Sequence, residues 1–140
     1  MSVTFPSLIQ WNSAYSVDIA TIDSQHKMLV SMIRQLQEGM MTGRAKEYVA
    51  PLIGIMTDYT NYHFTYEEKL LEQHGYANLA AHRQEHAGLI TQLQEIKEKY
   101  ASGRLQAGAP LLHFLRNWLL DHICLHDMAY AGFLKEKGVS

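Results

Sequence analysis

Two pairs of titratable residues stand four positions apart in otherwise periodic, apolar stretches: His63 with Glu67, and His82 with His86. On a helix, residues at that spacing lie one turn apart on the same face, so both side chains of a pair can reach a single site. One such pair arises easily by chance. Here there are two, and His26 and His122 fall on the apolar stripes of two further segments. Five imidazoles and at least one carboxylate are therefore directed inward in a short chain. Unpaired burial would cost several kcal/mol together, because each buried polar group needs a partner. A metal centre meets that need at once, since it takes the ring nitrogens as ligands and balances the carboxylate charge.

The elements that must position these residues follow from the periodicity. One stripe runs Ile22, His26, Leu29, Ile33, Leu36, Met40, and a second Leu52, Met56, Tyr59, His63, Glu67, Leu70. A third runs Leu79, His82, His86, Leu89, Leu93, Ile96, Tyr100, and a fourth Leu111, Leu115, Leu119, His122, His126, Tyr130, Phe133. Steps of mostly three and four residues mark amphipathic helices facing a common core. Gly43, Gly75, Gly103 and Gly138 each follow a periodic stretch, as helix C-terminal glycines do. Pro110 suits a first helical turn, whereas Pro51 either delays the second helix or kinks its start. The spacing predicts an all-α chain with helices over 23–41, 46–73, 78–101 and 109–137, after an irregular N-terminal arm over 1–22. Short connections favour an up-down-up-down antiparallel four-helix bundle, one domain spanning 1–140.

Composition narrows the function. The 140 residues suffice for one core, and a 47% hydrophobic content argues against disorder. A net charge of −2 with no basic block argues against nucleic acid as partner. The single cysteine, Cys124, cannot form an internal disulfide. No apolar run approaches the roughly 20 residues of a membrane span, and no signal-peptide pattern opens the chain, so a cytoplasmic location without membrane insertion is expected. What stands out is eight histidines.

The stretch from Trp11 to Phe133 resembles the hemerythrins, most closely the single-domain bacterial members. The resemblance rests on Trp11, on Ile22, Asp23, Gln25, His26 and Lys27, and on His63, Phe64, Glu67 and Glu68. It continues through His82 and His86 to Trp118, Leu119, His122, Ile123 and Asp127. The related myohemerythrin is itself an up-down bundle, so the topology is part of the resemblance. It implies a non-haem di-iron centre with one iron on His82, His86 and His122 and the other on His26 and His63. Glu67 and Asp127 would bridge the two irons together with an oxo or hydroxo group. Two six-coordinate irons offer twelve positions, of which this set fills eleven. The open position, on the iron with two histidines, would take dioxygen reversibly. Its implied neighbours are Leu29, Phe64, Leu89, Trp118, Leu119 and Ile123. A dry wall of this kind denies external protons and admits few organic substrates, which favours binding over catalysis. Oxygen carriage, storage or delivery to an oxygen-consuming enzyme is the function implied, and the chain is not expected to be an enzyme. The alternatives are a ferritin-like di-iron oxidase, or an oxygen or redox sensor acting through a separate partner. Ferritin-like sites use four carboxylates and two histidines, which this chain does not supply inward.

Helical geometry and the resemblance diverge at one point. Asp127 lies five residues after His122, about 140° round an ideal helix, whereas His126 shares the face of His122. The resemblance favours Asp127, and a carboxylate can bridge two metals where a neutral imidazole cannot. A π-bulge between the two would bring positions five apart into line. The other histidines have plainer explanations. His113 should face solvent, His74 should complement a helix C-terminus, and His126 departs from the family pattern as a supporting or surface residue. Asp18 stands where the family often has Gly.

Overall fold

The computed structural model describes residues 9–43, 45–103, 109–122 and 127–140. Among them the chain forms helices α1 (Ala20–Met41), α2 (Ala45–Gln73), α3 (Leu79–Ala101), α4 (Ala109–Asp121) and α5 (Met128–Glu136), after a short 3₁₀ turn at Ser13–Tyr15. Helices α4 and α5 occupy the single stretch expected over 109–137. The backbone at His122 and at Asp127 is π-helical, the expected position for a bulge. Residues 123–126, and with them Ile123, Cys124 and His126, lie outside the described residues.

Helix α1 begins at Ala20, three residues ahead of the expected start. The reason is Asp23. No side chain caps the first turn from Ile19, but Asp23 lies within that turn, where a negative charge complements the helix dipole. Its carboxylate accepts hydrogen bonds from Ser16 Oγ at 2.5 Å and from the Val17 amide at 2.8 Å, tying the arm to the helix start. Asp18, between them, adopts φ +60°, a left-handed conformation that glycine reaches more easily. Lys135 Nζ lies 2.8 Å from its carboxylate and holds that group below the ordinary acid range. Further back, the Ile9 amide donates to Gln37 Oε1 at 2.9 Å, and Trp11 lies beneath the Lys27 ammonium. From Ile9 onward the arm is tied to the bundle at several points.

The four glycines past the periodic stretches all have φ between +72° and +80°. At the end of α2 the Gly75 amide donates to Glu72 and the Tyr76 amide to Leu71, closing the last turn. His74 adds to this by donating from Nδ1 to the Leu70 carbonyl at 2.8 Å. His113 is exposed, as its position on the helix requires. Pro51 lies inside α2, which already starts at Ala45, so it does not delay the helix.

Helix α1 packs on α2 and α4, and α2 packs on α3. The ring closes where Trp118 Nε1 donates to the Leu89 carbonyl of α3 at 3.1 Å. The core divides into two apolar clusters. The larger takes Leu29, Ile33 and Leu36 of α1, Ile53 and Met56 of α2, Leu93 of α3, and Leu111, Leu115 and Leu119 of α4. The smaller takes Val17 and Ile19 of the arm, Ile22, Leu71, Tyr130 and Leu134. Going along the chain, α1 runs from the smaller cluster to the larger, α2 runs back, α3 returns, and α4 with α5 runs back again. That alternation is the up-down-up-down topology.

Candidate metal centre

Between the two apolar clusters lies a polar layer to which every helix of the bundle contributes. Helix α1 supplies His26, α2 supplies His63 and Glu67, and α3 supplies His82 and His86. The junction of α4 and α5 supplies His122 and Asp127. All seven are buried, none more than 5% exposed. The two pairs spaced four apart do sit on one face each. The π-helical step does the same for His122 and Asp127 by bringing the fifth residue inward.

All five imidazoles direct Nε2 toward the two carboxylates. His26 Nε2 lies 2.6 Å from Asp127 Oδ2, and His122 Nε2 lies 3.0 Å from the same oxygen. His63 Nε2 is 3.2 Å from Glu67 Oε2, and His86 Nε2 is 3.0 Å from Glu67 Oε1. His82 Nε2 is in close contact with Glu67 Oε1 and lies 3.6 Å from Asp127 Oδ1. The ligand atoms form two overlapping groups, each within 4.8 Å: His26, His63, Glu67, His122 and Asp127, and Glu67, His82, His86 and Asp127. Glu67 and Asp127 belong to both. These distances join His122 to His26 and His63, whereas the resemblance joins it to His82 and His86. Its ring is nearest that of His86, at 5.2 Å, followed by those of His63 at 5.8 Å, His26 at 6.0 Å and His82 at 6.4 Å.

The electrostatics follow from this packing. Burial alone would raise the pKa of Glu67, but hydrogen bonds from His63, His82 and His86 outweigh it and hold the carboxyl well below its ordinary value. Burial and the charge of Glu67 act on Asp127 in the same sense, yet His122 and His26 leave it lowered. For His26, burial disfavours the cation, but Asp127 prevails and the pKa is raised. His86 is raised too, against burial, chiefly by Glu67. Burial prevails at His63, which is lowered. The Tyr130 hydroxyl, buried beside this layer, is pushed well above its usual pKa by burial and then by the charges of Asp127 and Glu67.

These residues fit a pair of cations. His26 Nε2 and His63 Nε2 face each other at 3.1 Å, an arrangement that needs a proton or a cation between two lone pairs. Glu67 Oε2, His86 Nε2 and both Asp127 oxygens are buried without a well-aligned hydrogen bond, although a nitrogen or oxygen of another residue in the layer lies 2.6–3.6 Å from each. Atoms this close and this poorly aligned to each other point at common centres. Five nitrogens with two shared carboxylates form a set suited to two transition-metal ions. The family described as Hemerythrin HHE cation binding domain matches residues 17–134. The chain belongs to the hemerythrin family.

Bacteriohemerythrin from Methylococcus capsulatus is 30% identical over 129 residues, covering 91% of this chain and 98% of that protein. Bacteriohemerythrin from Pseudomonas aeruginosa is 33% identical over 125 residues, covering 89% and 80%. A crystal structure of wild-type hemerythrin superposes with a TM-score of 0.79 at 29% identity, covering 90% of this chain and 97% of the other. Among the apolar residues read from the hemerythrin resemblance, Leu29, Phe64, Trp118 and Leu119 are buried in the larger cluster and Leu89 packs against it. Phe64 lies flat on His86, with ring centroids 3.7 Å apart. No helix among the described residues is long and apolar enough to cross a membrane.

Three residues of the site received no role from the sequence. Gln25 Oε1 accepts from His63 Nδ1 at 2.5 Å, and Glu68 Oε2 accepts from His86 Nδ1 at 3.0 Å. Tyr130 was legible only as part of a stripe. Gln25 and Glu68 adjoin His26 and Glu67 in sequence, so they lie off the seam that periodicity follows. Their only signal was their place in the motifs themselves.

Proposed function

We infer that this protein binds dioxygen reversibly at a non-haem di-iron centre. The observation that carries this reading is the pair of overlapping ligand groups that share Glu67 and Asp127, fully buried in a hemerythrin-family bundle. His82, His86 and His122 would hold one iron and His26 and His63 the other, with both carboxylates and an oxo or hydroxo group between them. When bound, an iron pair there would supply two reducing equivalents and a place for a small ligand. The chain's own residues then set what happens there. Leu29, Phe64, Trp118 and Leu119 line the adjoining core and exclude water. Gln25 and Glu68 fix which nitrogen each of two imidazoles presents. Among the described residues the only buried carboxylates are Glu67 and Asp127. The buried hydroxyls are Thr60 and Tyr130, the latter held to its proton by its raised pKa, so few groups could give a proton to a small ligand there. Binding without turnover is the outcome, so the role is oxygen carriage or storage, with delivery to an oxygen-consuming enzyme as its outlet. The lone Cys124 and the lack of a membrane-crossing helix among the described residues support a place in the cytoplasm.

The test is anaerobic reduction of the iron-loaded protein, then cycles of dioxygen addition and removal, with iron content and the visible spectrum followed together. Two irons per chain and a charge-transfer band that comes and goes with oxygen are expected. Irreversible oxidation coupled to turnover of an organic substrate would overturn the reading. Glu67→Ala should lose the paired irons, and retention of two irons would refute its bridging place.

A further inference from the structure

The imidazoles of this site are supported unequally at the nitrogen that faces away from it. His63 Nδ1 donates to Gln25, a neutral amide, at 2.5 Å. His86 Nδ1 donates to the carboxylate of Glu68 at 3.0 Å. Glu68 is in turn braced by Arg83, whose Nε lies 3.2 Å from Oε1, and Arg83 reaches on to Glu72 at 3.0 Å. Phe64 lies parallel to the His86 ring, within 1°. Phe64 therefore fixes the plane of that ring, and Glu68 fixes its rotation within the plane. An anionic acceptor does more than orient. It draws the Nδ1 proton toward itself, which makes Nε2 a stronger donor to a metal than an imidazole bonded to an amide.

We propose that Glu68, braced by Arg83, is a positioning residue that makes His86 the stronger imidazole donor and biases the metal on the His82 and His86 side toward its oxidised state. This rests on the di-iron reading above and adds an asymmetry to it. Glu68 is only partly buried and borders a surface cavity of about 310 Å³ shared with Arg83 and the edge of His86. It can therefore be changed without opening the apolar core. The charge it carries is close to one metal group and remote in sequence and support from Gln25, which serves the other.

The experiment compares the full iron-loaded chain with Glu68→Gln, Glu72→Gln and Gln25→Glu. Midpoint potential, iron content and cobalt(II) affinity of the metal-free protein are measured for each. Glu68→Gln should keep two irons, raise the midpoint potential, and weaken cobalt binding about 10- to 100-fold. Glu72→Gln removes the same charge from Arg83 but not from His86, and should match the parent. Gln25→Glu should lower the potential by giving His63 the anionic partner it lacks. The proposal is overturned if Glu68→Gln matches the parent, or if Glu72→Gln shifts the potential equally, which would reduce the effect to net charge. Should Glu68→Gln lose its helical circular dichroism, Gln25→Glu decides alone, and an unchanged potential there overturns the proposal. A parent chain that holds no iron pair would instead overturn the di-iron reading itself.

Discussion

At the scale of single residues, the site stores opposite charges in a form that a cation must displace. Glu67 and Asp127 are held below the ordinary carboxylate range, so both are ionised at neutral pH. Burial disfavours the charged forms of His26 and His86, yet Asp127 and Glu67 raise them above the ordinary imidazole value of about 6.5. A metal binds neutral imidazole, so loading must expel the protons these two rings hold. As pH falls, protons return to His26 and His86 before it reaches about 6.5, while the carboxylates stay ionised. His63, lowered by burial, is already free of its proton there. Cobalt(II) affinity of the metal-free protein should therefore already decline as pH falls toward about 6.5, approaching tenfold per pH unit for each proton displaced. Isothermal titration in two buffers of different ionisation heat would count those protons. A flat profile across this range would show that the facing carboxylates do not raise the two rings.

At the scale of the elements, the step between α4 and α5 decides which residues of the last helix face inward. The stripe extrapolated from Leu119 and His122 places His126, Tyr130 and Phe133 on the seam. Among the described residues Asp127, Tyr130 and Leu134 are fully buried, and Phe133 is only partly so. A π-helical step adds one residue to a turn, so counting by three and four past it runs out of phase by about 100°. Leu134→Ala should cost about 2–5 kcal/mol, and more than Phe133→Ala, although Phe is the larger side chain. Urea unfolding of the two variants tests this. The reverse order would mean that the register was never shifted. The same step explains what was legible beforehand. Every residue read on the α1 stripe, from Ile22 to Met40, is buried, because that helix is regular from end to end. The histidine pairs were equally legible, since a spacing of four needs only a regular turn. Asp127 was not legible from spacing, which pointed to His126; the family pattern and the bridging chemistry of a carboxylate favoured it. Gln25 and Glu68 escaped because a residue beside a ligand points off the seam, and its partner is distant in sequence.

At the scale of the whole molecule, the metal layer joins two cores of unequal strength. On one side lies the cluster built from long stretches of α1, α2 and α4, on the other the small cluster of Val17, Ile19, Ile22, Leu71, Tyr130 and Leu134. The small one consists largely of the arm and the nine-residue α5, neither of which could hold a helical or compact state unaided. Both are anchored next to residues of the polar layer: Ile22 one turn from His26, and Tyr130 one turn from Asp127. Without metal, the layer between the cores holds buried polar atoms that are poorly aligned to one another, so it transmits little stability across itself. Ligand binding at a thousandfold excess over Kd adds about 4 kcal/mol to the folded state, and that gain is absent once iron is removed. The loss should not be spread evenly. After reductive chelation, amide hydrogen exchange should quicken most in residues 17–23 and 128–136, and least in residues 29–36 of α1 and 52–56 of α2. Uniform loss of protection would mean that the bundle unfolds as one unit. Unchanged exchange in the arm and α5 would mean that the smaller core stands without the metal. The expected pattern would make the metal centre a structural joint as well as an oxygen site, since the helix end that brings Asp127 to the metals is the same end that the metals hold in place.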